Sequence, residues 1–224
     1  MKEKHINNRF PIARVAIPFV ITGILLSIIS LSLGRKELFF LFSLLTSFIA
    51  FFFRDPNRIS PISSEGAILS PADGKILEVK DVGDKIKISI FMSLLDVHVN
   101  RIPVSGEIKE VKHTAGKFFR ANLDKASEQN ERNMILLKPK NSSDPFVIIQ
   151  IAGILARRII CWVREGDQVV AGQRFGLICF GSRVELFVNK ECKILVTPGQ
   201  KVKAGVSVLG YSYRQLLLPN RRSL

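Results

Sequence analysis

Two hydrophobic patterns divide this chain. Residues 15–33 run for 19 positions without a charge, and residues 38–53 for 16 more after the break Gly34-Arg35-Lys36-Glu37. As helices they would be about 28 Å and about 24 Å long against a hydrocarbon core of about 30 Å, so the first matches a bilayer and the second falls slightly short. A helical hairpin is predicted. Beyond it, Arg54-Asp55-Pro56-Asn57-Arg58 and the turn-rich Ser60-Pro61-Ile62-Ser63-Ser64 close the apolar part. From about residue 65 apolar residues alternate over short stretches, at 75–79, 85–91, 106–111, 134–137 and 146–152, between Gly, Pro and Asp punctuation. That is the period of half-buried strands. The expected organisation is a membrane-anchoring hairpin over 1–53, a linker over 54–64 and a mainly β domain over 65–224. Residues 117–133 are polar and mixed, and carry no assignable period.

Within the β domain a seven-residue pattern recurs. Gly166-Asp167-Gln168-Val169-Val170-Ala171-Gly172 and Gly199-Gln200-Lys201-Val202-Lys203-Ala204-Gly205 both read G-x-x-V-x-A-G. Such turns occur in biotinyl- and lipoyl-carrier domains, where glycines allow tight turns between short strands of a flattened sandwich. The resemblance implies a barrel-sandwich-hybrid core.

Charge narrows the partners. The formal net charge is +14, which favours anionic surfaces, whether nucleic acid or acidic lipid. Zinc-ligand spacing, an aromatic RNA-binding motif and a basic helix are all missing from the sequence, and the apolar hairpin selects lipid. Lys2, Lys4, Arg9 and Arg14 precede the hairpin and Arg54 and Arg58 follow it, whereas its tip carries only Arg35 and Lys36 beside Glu37. Both ends are therefore expected on the cytoplasmic side of a cell membrane. A cleaved signal peptide fits poorly, because the apolar run is too long and a second follows at once. Cys161, Cys179 and Cys192 lack C-x-x-C spacing, so reduced buried thiols are expected, with no metal.

The candidate chemistry is spread along the chain. Asp73-Gly74 and Gly181-Ser182 read locally as turns. Asp96-Val97-His98-Val99-Asn100-Arg101 sets carboxylate, imidazole, amide and guanidinium within six residues at a strand end, and His98 is the best-placed base of the three histidines. Taken in order, R-D-P-x-R at 54–58, S-P-A-D-G at 70–74, D-V-H-V-N-R-I-P at 96–103, D-K-A-S-x-x-N-E-R-N at 124–133 and F-G-S-R at 180–183 closely resemble phosphatidylserine decarboxylase proenzymes of the short type.

That resemblance implies a chain that cuts itself between Gly181 and Ser182, leaving a β chain of 1–181 and an α chain of 182–224 as a heterodimer, with a higher oligomer left open. In the family a Ser hydroxyl attacks the preceding Gly carbonyl, the ester undergoes β-elimination, and the new N-terminus hydrolyses to a pyruvoyl group, so neither pyridoxal phosphate nor a metal is required. The family triad maps onto Asp73, His98 and Ser182. Gly leaves the carbonyl open to attack, and Ser supplies both a nucleophile and an oxygen that can leave. The implied reaction converts phosphatidylserine to phosphatidylethanolamine and carbon dioxide through a Schiff base. Longer relatives carry H-x-x-H where this chain has His98 and Arg101, and Arg101 is then a candidate for holding substrate phosphate or carboxylate. Asn130-Glu131-Arg132 fits the family pattern without a chemical role that its residues dictate. The competing reading is a membrane-anchored lipoyl-like adaptor or carrier, with Asp124-Lys125-Ala126 as its modification site. The polar run after Lys125, where a strand should follow, argues against it.

Overall fold

The computed structural model describes residues 7, 10–59, 66–116, 130–140, 142, 144–153, 158–179 and 182–212. They form two compact units, one ending at Asn57 and one beginning at Arg58.

The first unit is the hairpin, α1 (Ile17–Ser32) and α2 (Lys36–Phe52). Pro18 stands in the first turn of α1, where its missing N–H leaves no helix bond unmade. The helix stops where Gly34 turns to φ +69, and the Arg35 N–H closes back on the Ser30 carbonyl at 2.9 Å. The two helices meet through small residues. Ser27 lies 3.4 Å from Ser43 between hydroxyl oxygens, and a Cβ on Gly23 would run into the Thr46 side chain. Ser27 and Ser30 are buried while Phe19, Leu25, Phe40 and Leu44 are exposed, the reverse of a helix pair built for water. The hydroxyls of Ser27, Ser30 and Thr46 each bond a carbonyl four residues back, at 2.9, 2.8 and 2.7 Å, so these three are satisfied within their own helices in an apolar surround. With its preceding 3-10 turn, α1 is long and apolar enough to cross a membrane, whereas α2 has 17 residues.

Among the described residues the second unit is all β. Its strands in chain order are β1 (Ala67–Leu69), β2 (Gly74–Val82), β3 (Lys85–Met92), β4 (Val99–Arg101), β5 (Gly106–Thr114), β6 (Arg132–Pro139) and β7 (Phe146–Ile151). There follow β8 (Ile159–Cys161), β9 (Gln168–Val169), β10 (Arg174–Ile178), β11 (Ser182–Asn189), β12 (Lys193–Ile194), β13 (Lys201–Val202) and β14 (Val208–Tyr211). One curled eight-stranded sheet runs β13-β2-β3-β11-β7-β6-β5-β9, and two three-stranded sheets run β1-β14-β12 and β4-β10-β8. Alternation drives the large sheet: Ile88, Ile90, Ile135, Leu137, Ile148, Val184 and Leu186 all turn into one core. The short strands of the small sheets have too few residues to display a period, which is why the sequence pattern did not reveal them. The expected mainly β, carrier-like fold with an apolar helical segment is therefore present.

The repeated turns occupy the two edges of the large sheet. Val169 of β9 stands opposite Gly106 of β5, and Val202 of β13 opposite Gly74 of β2. Their partner strands are repeats as well: Gly74–Lys80 and Gly106–Lys112 both read G-x-I-x-E-V-K, and each has a bulge between its Ile and its Glu. The closing glycines of the two turns face one another. Gly172 and Gly205 have φ +79 and +69, and a Cβ on Gly205 would lie 3.4 Å from the Gly172 Cα and 2.7 Å from Arg101 Cδ, so a side chain there is excluded twice over.

Cys192 packs into this core at 6% exposure, and burial pushes its thiol up to about 11. At pH 8.5 only about 0.3% of it would be thiolate, the reactive form. Iodoacetamide is thus expected to leave Cys192 unlabelled in the folded protein and to label it fully in urea, as read by peptide mass spectrometry.

Candidate active site

The middle of the large sheet is where the chain places Ser182. β11 pairs along its whole length with β3, from Ser182 opposite Met92 to Asn189 opposite Lys85, and on its other side with β7 from Arg183 opposite Ile151. Ser182 shares its parity with Val184, Leu186 and Val188, so its side chain points inward. The residue is fully buried, and among the described residues its hydroxyl has no hydrogen-bond partner. The local reading of Gly181-Ser182 as a surface turn is therefore corrected at Ser182, which begins a central strand. Gly181 itself lies outside the described residues.

A hydroxyl that gives up water without gaining a partner costs about 1–3 kcal/mol. Such a group in a core is retained for a reason other than stability.

His98 is also fully buried. It lies just before β4, and its carbonyl is met by the Ile178 N–H of β10. Nδ1 is 2.9 Å from the Asp96 carbonyl oxygen. A carbonyl can only accept, so Nδ1 carries the proton and Nε2 is left with the basic lone pair. The Asp96 carboxylate is occupied closing the Ser93–Asp96 turn, with the Ser93 N–H at 2.8 Å and its hydroxyl at 2.7 Å.

Asn100 follows His98 at the same parity and is bonded to β3, the strand beside that of Ser182. Its Nδ2 donates to Met92 Sδ at 3.5 Å, and Met92 is the cross-strand neighbour of Ser182. Behind it runs a buried line of amides: Gln150 Nε2 donates to Asn100 Oδ1 at 2.8 Å, and Asn133 Nδ2 to Gln150 Oε1 at 3.0 Å. Gln150 also needs Gly176, since a Cβ there would come within 2.9 Å of its Nε2. Gln150→Leu would strand the Asn100 acceptor and the Asn133 donor in the core. The expected loss is about 3 kcal/mol, read as a lower urea midpoint in the uncut Ser182→Ala protein. Of these amides the sequence motifs mark Asn100, and Asn133 only as the end of a motif, and they do not single out Gln150. The signal was there: Gln150 and Asn133 are polar residues at the inward parity of the apolar runs of β7 and β6.

Two other expected residues are bonded to other groups. Asp73 is not brought to His98. Its carboxylate takes the Arg58 guanidinium, with Nη2 to Oδ2 at 2.7 Å, and the Ala204 N–H at 2.8 Å. Arg101 has the opposite parity to His98 and Asn100, and its Nη1 donates to the Gly172 carbonyl at 2.9 Å. It lies along the facing glycines, its Cδ 2.7 Å from where a Cβ on Gly205 would stand. Asn130 has a local task, donating from Nδ2 to the Ala152 carbonyl at 2.6 Å, which pins the end of β7 next to the start of β11. Residues 124–129 of the same motif are outside the described residues.

On the outer face of β11, Arg183 and Glu185 are nearly fully buried and paired at 3.2 Å. Ser89 Oγ bridges Glu185 to Glu78, at 3.3 Å from each. Hydrogen bonding from Lys87, followed by its charge and by Ser89 and Arg183, outweighs burial and holds the Glu78 carboxyl below its ordinary value. The residue after Ser182 is thus anchored by charge on one face while the serine faces the core on the other.

Comparison with known proteins agrees with this architecture. The family model described as phosphatidylserine decarboxylase matches residues 45–210. A phosphatidylserine decarboxylase proenzyme of Syntrophus aciditrophicus (strain SB) is 48% identical over 207 residues, which cover 89% of this chain and 96% of that protein. Proenzymes of the same name from Desulfotalea psychrophila and Geobacter metallireducens are 40% and 38% identical, over 89% and 91% of this chain and 96% and 98% of their own lengths. A family model over most of the β domain, and relatives matched nearly end to end, leave one conclusion: the chain belongs to the phosphatidylserine decarboxylase family of carboxy-lyases.

Proposed function

We propose that this protein cuts itself between Gly181 and Ser182, keeps a pyruvoyl group made from Ser182, and decarboxylates phosphatidylserine to phosphatidylethanolamine at a membrane. The observation that carries the reading is the Ser182 hydroxyl, fully buried and without a partner among the described residues. That state fits an oxygen that is consumed in maturation rather than kept for folding.

Each residue then has a task. Ser182 Oγ attacks the carbonyl of the preceding residue, and His98, with its proton on Nδ1 by virtue of the Asp96 carbonyl, accepts the hydroxyl proton at Nε2. The Asp96 carbonyl thereby holds the orienting place that the family resemblance gives to Asp73. The break in the backbone is tolerated because β11 is paired on both sides.

When present, the pyruvoyl group supplies a carbonyl that condenses with the substrate amine and draws off the electrons of the severed carboxylate bond. His98 is the group that returns a proton to the substrate carbon, and the surrounding core of Met92, Val184 and Ile178 excludes water.

The lipid reaches the enzyme through the hairpin and the charge. The outward apolar faces of α1 and α2 suit burial in a bilayer, and basic side chains near an anionic surface contribute about 1 kcal/mol each.

A denaturing gel with intact-mass analysis of the purified protein tests the proposal. Two pieces ending at Gly181 and beginning at residue 182, the second blocked to N-terminal sequencing, are expected. One uncut chain that still decarboxylates would refute it.

A further inference from the structure

The two copies of the repeated turn provide an internal comparison. In the first, the Ala171 N–H is received by Ser105 Oγ at 3.0 Å, on the residue just before Gly106. In the second, the matching N–H of Ala204 is received by Asp73 Oδ1 at 2.8 Å, on the residue just before Gly74. A neutral hydroxyl is therefore enough to close this turn, and the carboxylate at 73 has a further purpose.

What it recruits is Arg58. The guanidinium meets both carboxylate oxygens of Asp73, Nη2 to Oδ2 at 2.7 Å, and its Nη1 also donates to the Ala204 carbonyl at 2.8 Å. Both backbone groups of Ala204 are thus gripped by two side chains that are each only 10% exposed. Hydrogen bonds between ionised groups shielded from water are about twice as strong as neutral ones.

Cleavage after Gly181 would separate the two turns in kind. The turn at 166–172 stays on the same chain as Ser105, whereas the turn at 199–205 passes to a different chain from Arg58 and Asp73. We infer that Arg58 and Asp73 form an interchain latch, which holds the 182–224 piece by Ala204 once the backbone no longer does. The latch rests on the self-cleavage reading. It also explains why the charged version of the contact stands only at the turn that loses its covalent tether.

The test compares Arg58→Met with Ser105→Ala, a matched loss at the turn that stays on its own chain, in full-length protein in detergent. Release of the 182–224 piece at a urea concentration below the unfolding midpoint is followed by size exclusion and mass spectrometry. Arg58→Met is expected to be cut at the wild-type rate and to release the piece about tenfold faster, while Ser105→Ala releases it like wild type. In the uncut Ser182→Ala background, Arg58→Met is expected to lower the urea midpoint much less than it does in cut protein. Equal release with and without Arg58, or equal destabilisation of cut and uncut protein, would overturn the latch alone. A wild-type chain that stays in one piece would overturn the self-cleavage reading and the latch with it.

Discussion

Ser182→Ala is expected to remain a single chain and to show no decarboxylation above background, because alanine has neither an oxygen to attack the preceding carbonyl nor one to lose afterwards. Activity should fall below detection rather than by a graded factor, since the group that would withdraw electrons is never made. The same substitution should not harm the fold. It removes a buried hydroxyl that has no partner among the described residues, so in protein whose cleavage is slowed by His98→Gln, with the uncut chain isolated, adding Ser182→Ala should raise stability by about 1 kcal/mol. Urea unfolding of the two uncut proteins reads this directly. A destabilised alanine variant would mean that the hydroxyl is a structural group, and the proposed role of Ser182 would lose its physical basis.

His98→Ala should slow cleavage by about 100-fold to 10,000-fold, the usual contribution of a positioned base. The measurement is the time course of conversion to two chains. Any protein that does mature should also turn over poorly, because the same imidazole is assigned the return of a proton to the substrate. These two defects can be separated by normalising turnover to the amount of blocked 182–224 piece. Maturation of His98→Ala at the wild-type rate would remove the imidazole from the cut. A normal turnover per matured chain would remove it from the second step only.

Asp73 shows that a motif does not carry the spatial partners of its residues. The S-P-A-D-G motif marked it as the carboxylate of a triad. In three dimensions its oxygens belong to Arg58 and Ala204, and the imidazole is oriented by a main-chain carbonyl. A backbone oxygen has no residue letter, so no motif could have announced it. Arg101 is a parity case: it is adjacent to Asn100, but on a strand neighbours face opposite ways, so Asn100 meets Met92 while Arg101 meets Gly172.

Much was decided before any folding. Uncharged runs long enough to approach bilayer thickness, the period of two in the β domain and the repeated G-x-x-V-x-A-G turns are properties of residue order, because helix rise, strand pleat and glycine's freedom at positive φ are local. The ordered motifs likewise pointed to Ser182 and His98. Tertiary structure alone decided that Ser182 lies within a buried central strand and that an amide line from Asn133 through Gln150 to Asn100 reaches its neighbour Met92. It also set Arg58 and Asp73 on Ala204, across 131 residues of chain from Asp73. Those facts depend on register and on contacts between distant segments, and a hydrogen bond is made between atoms in space, whatever their separation in sequence.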